Sequence, residues 1–64
     1  MFLTDVIKDF NNCNSRSEIF KKFECHQKGN YFYFDILEYR IKFNNKNEII
    51  SIYNSLENRY LHIV

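Results

Sequence analysis

The sequence predicts an α+β fold in which two N-terminal helices pack on one face of an antiparallel β-meander of three to four strands. Three observations predict it. Apolar residues recur at helical spacing near the N-terminus, a capping motif follows at Ser15, and beyond Gly29 the pattern changes to alternation interrupted by turn-forming residues.

The first helix follows from Phe2, Leu3, Val6, Ile7 and Phe10, which share one side of a helical wheel, with Thr4, Asp5, Lys8 and Asp9 on the other. Asn11 and Asn12 come next, and asparagine tolerates the left-handed conformation that ends many helices. Ser15-Arg16-Ser17-Glu18 is a capping-box pattern: Ser15 accepts from the Glu18 amide while the Glu18 carboxylate reaches back. The helix it opens places Ile19, Phe20 and Phe23 on one face and turns Lys21, Lys22 and Glu24 outward. Gly29, the only glycine, is expected at a helix C-cap or in a turn leading into a strand.

The densest apolar stretch runs from Tyr31 to Phe43. Phe32, Phe34 and Ile36 alternate in one phase, and Tyr39, Ile41 and Phe43 in the other. One straight strand cannot keep both sets on the same side, because a one-residue slip moves every side chain to the opposite face. A hairpin turning at Leu37-Glu38 does so by setting Ile36 opposite Tyr39, Phe34 opposite Ile41 and Phe32 opposite Phe43. Its other face then sets Asp35 against Arg40 and Tyr33 against Lys42. The competing arrangement is a single long, bulged strand, since Leu-Glu is poor turn chemistry beside Asn-Gly or Asp-Gly.

Asn44-Asn45-Lys46-Asn47 reads as the next hairpin loop, bringing Ile41 opposite Ile50 and Tyr39 opposite Ile52. Residues 54–58 form another turn and residues 59–64 a last strand. Alternation leaves open whether Leu61 and Ile63, or Tyr60, His62 and Val64, face inward. An alternative C-terminal helix over residues 48–62 competes with these strands, because Ile49, Ile52, Tyr53, Leu56, Tyr60 and Ile63 also fall on one helical stripe.

A chain of 64 residues makes a single small domain, and one of this size buries only about 60% of its unfolded surface. Homodimerisation or docking on a larger partner is therefore expected to add to a thin core. Nine basic and eight acidic groups give a net charge of +1, without the clustered basic footprint of general nucleic-acid binders. No apolar run approaches the roughly 18 residues that span a bilayer, and the N-terminal residues lack the basic and small-residue features of a signal peptide. A cytoplasmic protein without membrane contact is the expectation. The chain is rich in Phe, Tyr, Ile, Asn and Lys and contains no proline or alanine and one glycine. That bias follows AT-rich codons, as in many phages and mobile elements.

Chemistry is sparse. Cys25 and His26, with Cys13 and His62, are the only soft metal ligands, but they lack the paired spacing of a zinc site. The reading is two structural thiols, two surface imidazoles, and no metal or cofactor. A Cys13–Cys25 bridge would join the two ends of the second helix, beyond the reach of a disulfide. A nucleophilic Cys25 would need a positioned base and oxyanion donors that no motif supplies. The arginines, at 16, 40 and 59, are too scattered for a ribonuclease-type centre, and two helices alone lack the supporting helix of a DNA-reading unit.

One surface remains. The outer face of the sheet is expected to gather Tyr31, Tyr33, Arg40, Lys42 and Tyr53, residue types enriched where proteins bind partners. The expected function is noncatalytic: docking on and blocking a larger host protein or ribonucleoprotein, in the manner of a phage or mobile-element inhibitor of a host enzyme or defence system, anti-CRISPR-like inhibitors included. The alternative is a single-stranded nucleic-acid-binding module using the same face.

Overall fold

Local sequence accounts for both helices. A computed structural model describes residues 2–63, with His62 and Ile63 described by their backbone alone. The first helix, α1 (Leu3–Asn11), buries Val6 and Phe10, and its start is held by the Phe2 amide donating to Asp5 Oδ2 at 3.2 Å. Its end differs from expectation. Asn12 is right-handed (φ −82°, ψ −9°) because its own amide already bonds the Lys8 carbonyl at 3.0 Å, so no left-handed residue is needed.

The second helix, α2 (Arg16–Lys22), is capped by Ser15, whose Oγ accepts from the Glu18 amide at 3.3 Å. The returning bond lands one residue earlier than a capping box places it: Glu18 Oε2 accepts from the Asn14 amide at 2.8 Å. Phe23 leaves the helix with extended backbone (φ −129°, ψ 137°) yet stays buried.

The remaining chain forms five strands, β1 (Cys25–Lys28), β2 (Tyr31–Ile36), β3 (Tyr39–Asn44), β4 (Ile49–Asn54) and β5 (Arg59–Ile63), in one antiparallel sheet of order β1-β2-β3-β4-β5. The fold is α+β, with both helices N-terminal to the sheet. There is one strand more than the sequence suggested. Strand β1 shows no apolar alternation because it is an edge strand whose His26, Gln27 and Lys28 are all exposed. Gly29 accordingly belongs to the β1–β2 turn, with φ +63°, and not to a helix end.

The helix alternative for residues 48–62 is overturned by β4 and β5, because the same Ile and Tyr residues pair across strands. The β2–β3 hairpin has the expected register throughout, from Phe32 opposite Phe43 to Ile36 opposite Tyr39. Its poor turn sequence has a visible consequence: Leu37 adopts φ +55°, a left-handed conformation that costs an L-residue about 1–2 kcal/mol.

The β3–β4 register is two residues from the expected one, with Ile41 opposite Ile52 and Tyr39 opposite Asn54. Two local features produce the shift. Asn44 pairs with Glu48 across a three-residue loop that ends in left-handed Asn47 (φ +62°), and the Asn44 side-chain oxygen accepts from the amides of Lys46 and Glu48. A bulge then passes Ile50, so Lys42 faces Ser51 while Phe43 faces Ile49. The apolar parity survives, because a shift of two leaves Ile52 on the core side.

The inner face of the sheet meets α1 and the end of α2 through stacked and edge-on aromatic rings. Phe34 lies 4.4 Å from Phe23 and 6.0 Å from Phe10, and Phe43 lies 5.1 Å from Phe10 and 5.2 Å from Phe32, all as centroid distances. Ile19, Ile41 and Ile52 close the core around them. Arg16 ties α2 to the β3–β4 loop: its Nε donates to Asn47 Oδ1 at 3.3 Å, its Nη2 to the Asn45 carbonyl, and its guanidinium sits 4.4 Å over the Phe32 ring. No helix among the described residues is long and apolar enough to cross a membrane.

Candidate functional site

Strand alternation that sends Phe32 and Phe34 inward sends Tyr31, Tyr33 and Asp35 to the opposite face. Antiparallel pairing then lines up the outer residues of neighbouring strands in three transverse rows. Lys28 stands beside Tyr31 and Asn44; His26 beside Tyr33, Lys42 and Ser51; and Asp35 beside Arg40, Tyr53 and Tyr60. All five residues expected on this face lie on it. His26, Tyr33, Arg40, Lys42, Tyr53 and Tyr60 line one open depression, and Tyr31 adjoins it through Lys42.

Contacts within the face are of two kinds. Arg40 grips Asp35 with two bonds, Nε to Oδ1 at 2.9 Å and Nη2 to Oδ2 at 3.3 Å, and this hydrogen bonding holds the Asp35 carboxyl below the usual carboxylate range. Both partners are more than half exposed, so the pair is worth only a fraction of a kcal/mol to about 1 kcal/mol. Lys42 instead lies against aromatic faces, its ammonium 4.3 Å from the Tyr31 ring centroid and 5.9 Å from that of Tyr33. Across β4 and β5, Tyr53 and Tyr60 meet edge to face at 5.0 Å, and the Tyr53 hydroxyl donates to Asn58 Oδ1.

Sequence reasoning missed His26, Lys28 and Tyr60. The first two belong to the edge strand that had no apolar alternation to reveal it. Tyr60 is placed outward by the turn over residues 55–58, with left-handed Asn58, which sets Asn54 opposite Arg59 and Tyr53 opposite Tyr60, the bulge between Ile52 and Tyr53 coming only after that pair; alternation along β5 could not choose its side. The other half of that question falls on the side chains of His62 and Ile63 and on Val64, outside the described residues.

The thiols occupy other surroundings. Cys13 and Cys25 are both free and half-buried, and each packs against the core. Cys25 Sγ donates to the Phe23 carbonyl at 3.4 Å, and burial pushes its thiol pKa up, which disfavours the nucleophilic thiolate. Its neighbour His26 lines the outer face, so adjacent positions on β1 send these two side chains to opposite sides of the sheet. Among the described residues, no three His, Cys, Asp or Glu side chains gather in a metal-holding group.

No protein-family model, curated protein or solved structure matches this chain.

Proposed function

We propose that this is a noncatalytic binding protein that docks its outer sheet face on a larger macromolecule and blocks it. One observation carries the reading. Both helices and nine described core residues are spent on the inner face, whereas the outer face presents tyrosines on β2, β4 and β5 beside Lys28, Arg40 and Lys42, and no element among the described residues covers it. Aromatic rings offer large contact area at small entropic cost, and arginine and tyrosine dominate the residues that anchor interfaces. The separation of Cys25 from His26 supports a noncatalytic role, since a thiol nucleophile needs a base within hydrogen-bond reach.

The AT-rich residue bias supports the more specific form of the proposal: a phage or mobile-element product acting in the host cytoplasm on a host enzyme, defence system or ribonucleoprotein, as anti-CRISPR-like inhibitors do. The test is affinity capture by the tagged protein from lysate of an AT-rich bacterial host, with and without nuclease, followed by mass spectrometry. The expected result is one near-stoichiometric complex that the Tyr33→Ala/Arg40→Ala variant fails to capture. Equal capture by the folded variant would remove the sheet face from the proposal.

A further inference from the structure

We infer that the chemical group this face accepts is a single-stranded nucleic-acid segment, its bases stacked on the tyrosines and its phosphates paired with the cations between them. The inference rests on the docking reading and names what is docked upon. Its basis is a repeated juxtaposition across strands. Lys28 is the register neighbour of Tyr31, Lys42 of Tyr33, and Arg40 of Tyr53, so every row sets a cation directly beside a ring, and the third adds Tyr60 as a second ring. Consecutive rows stand two residues apart along a strand, a spacing of about 7 Å. A single strand repeats the complementary pair, one flat base and one negative charge per unit.

Charge and shape together select this occupant. Lys28, Arg40, Lys42 and His26 face one carboxylate in the rows, that of Asp35, which Arg40 already engages. A purely acidic peptide such as poly-glutamate would satisfy the cations yet offer no flat group to the rings. A duplex keeps its base faces stacked inside and would offer only phosphates. Unstacked bases use both halves of the face, because an aromatic platform flanking a cationic track binds single strands with little regard to sequence. Tyr31 and Tyr60 are the most exposed rings of the face, at 41% and 56%. Lys42, already lying over Tyr31, sits where a phosphate next to a stacked base would be met.

Fluorescence anisotropy with labelled twelve-nucleotide oligothymidylate and oligouridylate tests this directly, with a duplex of equal length and poly-glutamate as competitors. Both single strands are expected to bind. Neutralising three phosphates gives a salt slope near −2, so affinity falls roughly 20-fold between about 50 and 200 mM salt. Tyr33→Ala is expected to weaken binding at least about tenfold while Tyr33→Phe, which keeps the ring, retains it. Lys42→Ala should flatten the salt slope by about 0.7, and Lys21→Ala, on α2, should change nothing.

The inference is overturned if neither strand binds at about 50 mM salt, if folded Tyr33→Ala binds as the parent does, or if poly-glutamate competes as well as unlabelled oligothymidylate. The docking reading fails separately. Capture of a nuclease-resistant protein that Tyr33→Ala abolishes, without strand binding, overturns this inference and leaves docking in place; no effect of face variants on either assay overturns both.

Discussion

Adjacent residues on β2 should differ several-fold in what their truncation costs, and the contrast tests the placement of the binding face. Phe34 is 1% exposed and stacks against Phe23 at 4.4 Å, with Phe10 and Phe43 completing its surroundings. Truncating such a ring to alanine costs about 3–5 kcal/mol, as lost transfer free energy plus a cavity that the neighbours only partly fill. The whole domain has about 3–10 kcal/mol at typical stability per residue, with the lower part of that range expected for a core this small. Phe34→Ala should therefore leave little or no cooperative unfolding transition. Phe34→Leu, which retains most of the volume, should fold with a reduced midpoint. Tyr33, one residue away, lies on the half-exposed outer face beside His26 and Lys42, and Tyr33→Ala should cost no more than about 1 kcal/mol. The assay is urea unfolding followed by far-ultraviolet circular dichroism and tyrosine fluorescence, with the slope checked for constancy. A Tyr33→Ala loss as large as that of Phe34→Ala would refute the facing assigned to β2 and, with it, the proposed binding surface.

Other expectations follow from single features. Leu37→Asn should raise the melting temperature by a few degrees, because asparagine tolerates the φ of +55° and the half-exposed leucine gives up little burial; an unchanged or lower midpoint by calorimetry would contradict the strain argument. Asn54→Ala should destabilise by about 1–3 kcal/mol in urea titrations, since the buried Asn54 Oδ1 accepts from the amides of both Leu56 and Glu57 at 3.0 Å. Asp35 has a folded pKa below its unfolded value of about 3.9, so its contribution is present above that value and lost as pH falls through the folded one. Asp35→Asn should thus remove a small part of the acid sensitivity, and that difference should shrink at high salt because the pair is exposed. Cys25 in the folded protein should react with iodoacetamide more slowly than in urea at neutral pH, its thiol being raised by burial; equal rates, followed by mass spectrometry of the Cys25 peptide, would show that the site opens freely.

What could be read from the residues alone was decided by parity and by local capping. The switch of apolar phase between Ile36 and Tyr39 pointed to a β2–β3 hairpin and, for a turn at Leu37-Glu38, to its whole register, because alternation has a period of two; the strand pairing of the folded chain decided against the single bulged strand. The same parity turns Tyr31, Tyr33, Arg40 and Lys42 outward. Ser15 and Glu18 likewise announced α2 through groups four residues apart or fewer. Tertiary structure decided the features that depend on neighbours distant in sequence or on irregular backbone. Strand β1 exists because β2 supplies hydrogen-bonding partners to a polar segment with no pattern of its own, and this brings His26 and Lys28 to the face. The bulges at Ile50 and between Ile52 and Tyr53 each change the count by one residue, which no alternation rule foresees, and the turn over residues 55–58 sets Tyr60 opposite Tyr53. The sheet's outer tyrosines were thus legible where a hairpin constrained them and were settled elsewhere by the ladder that the folded chain completes.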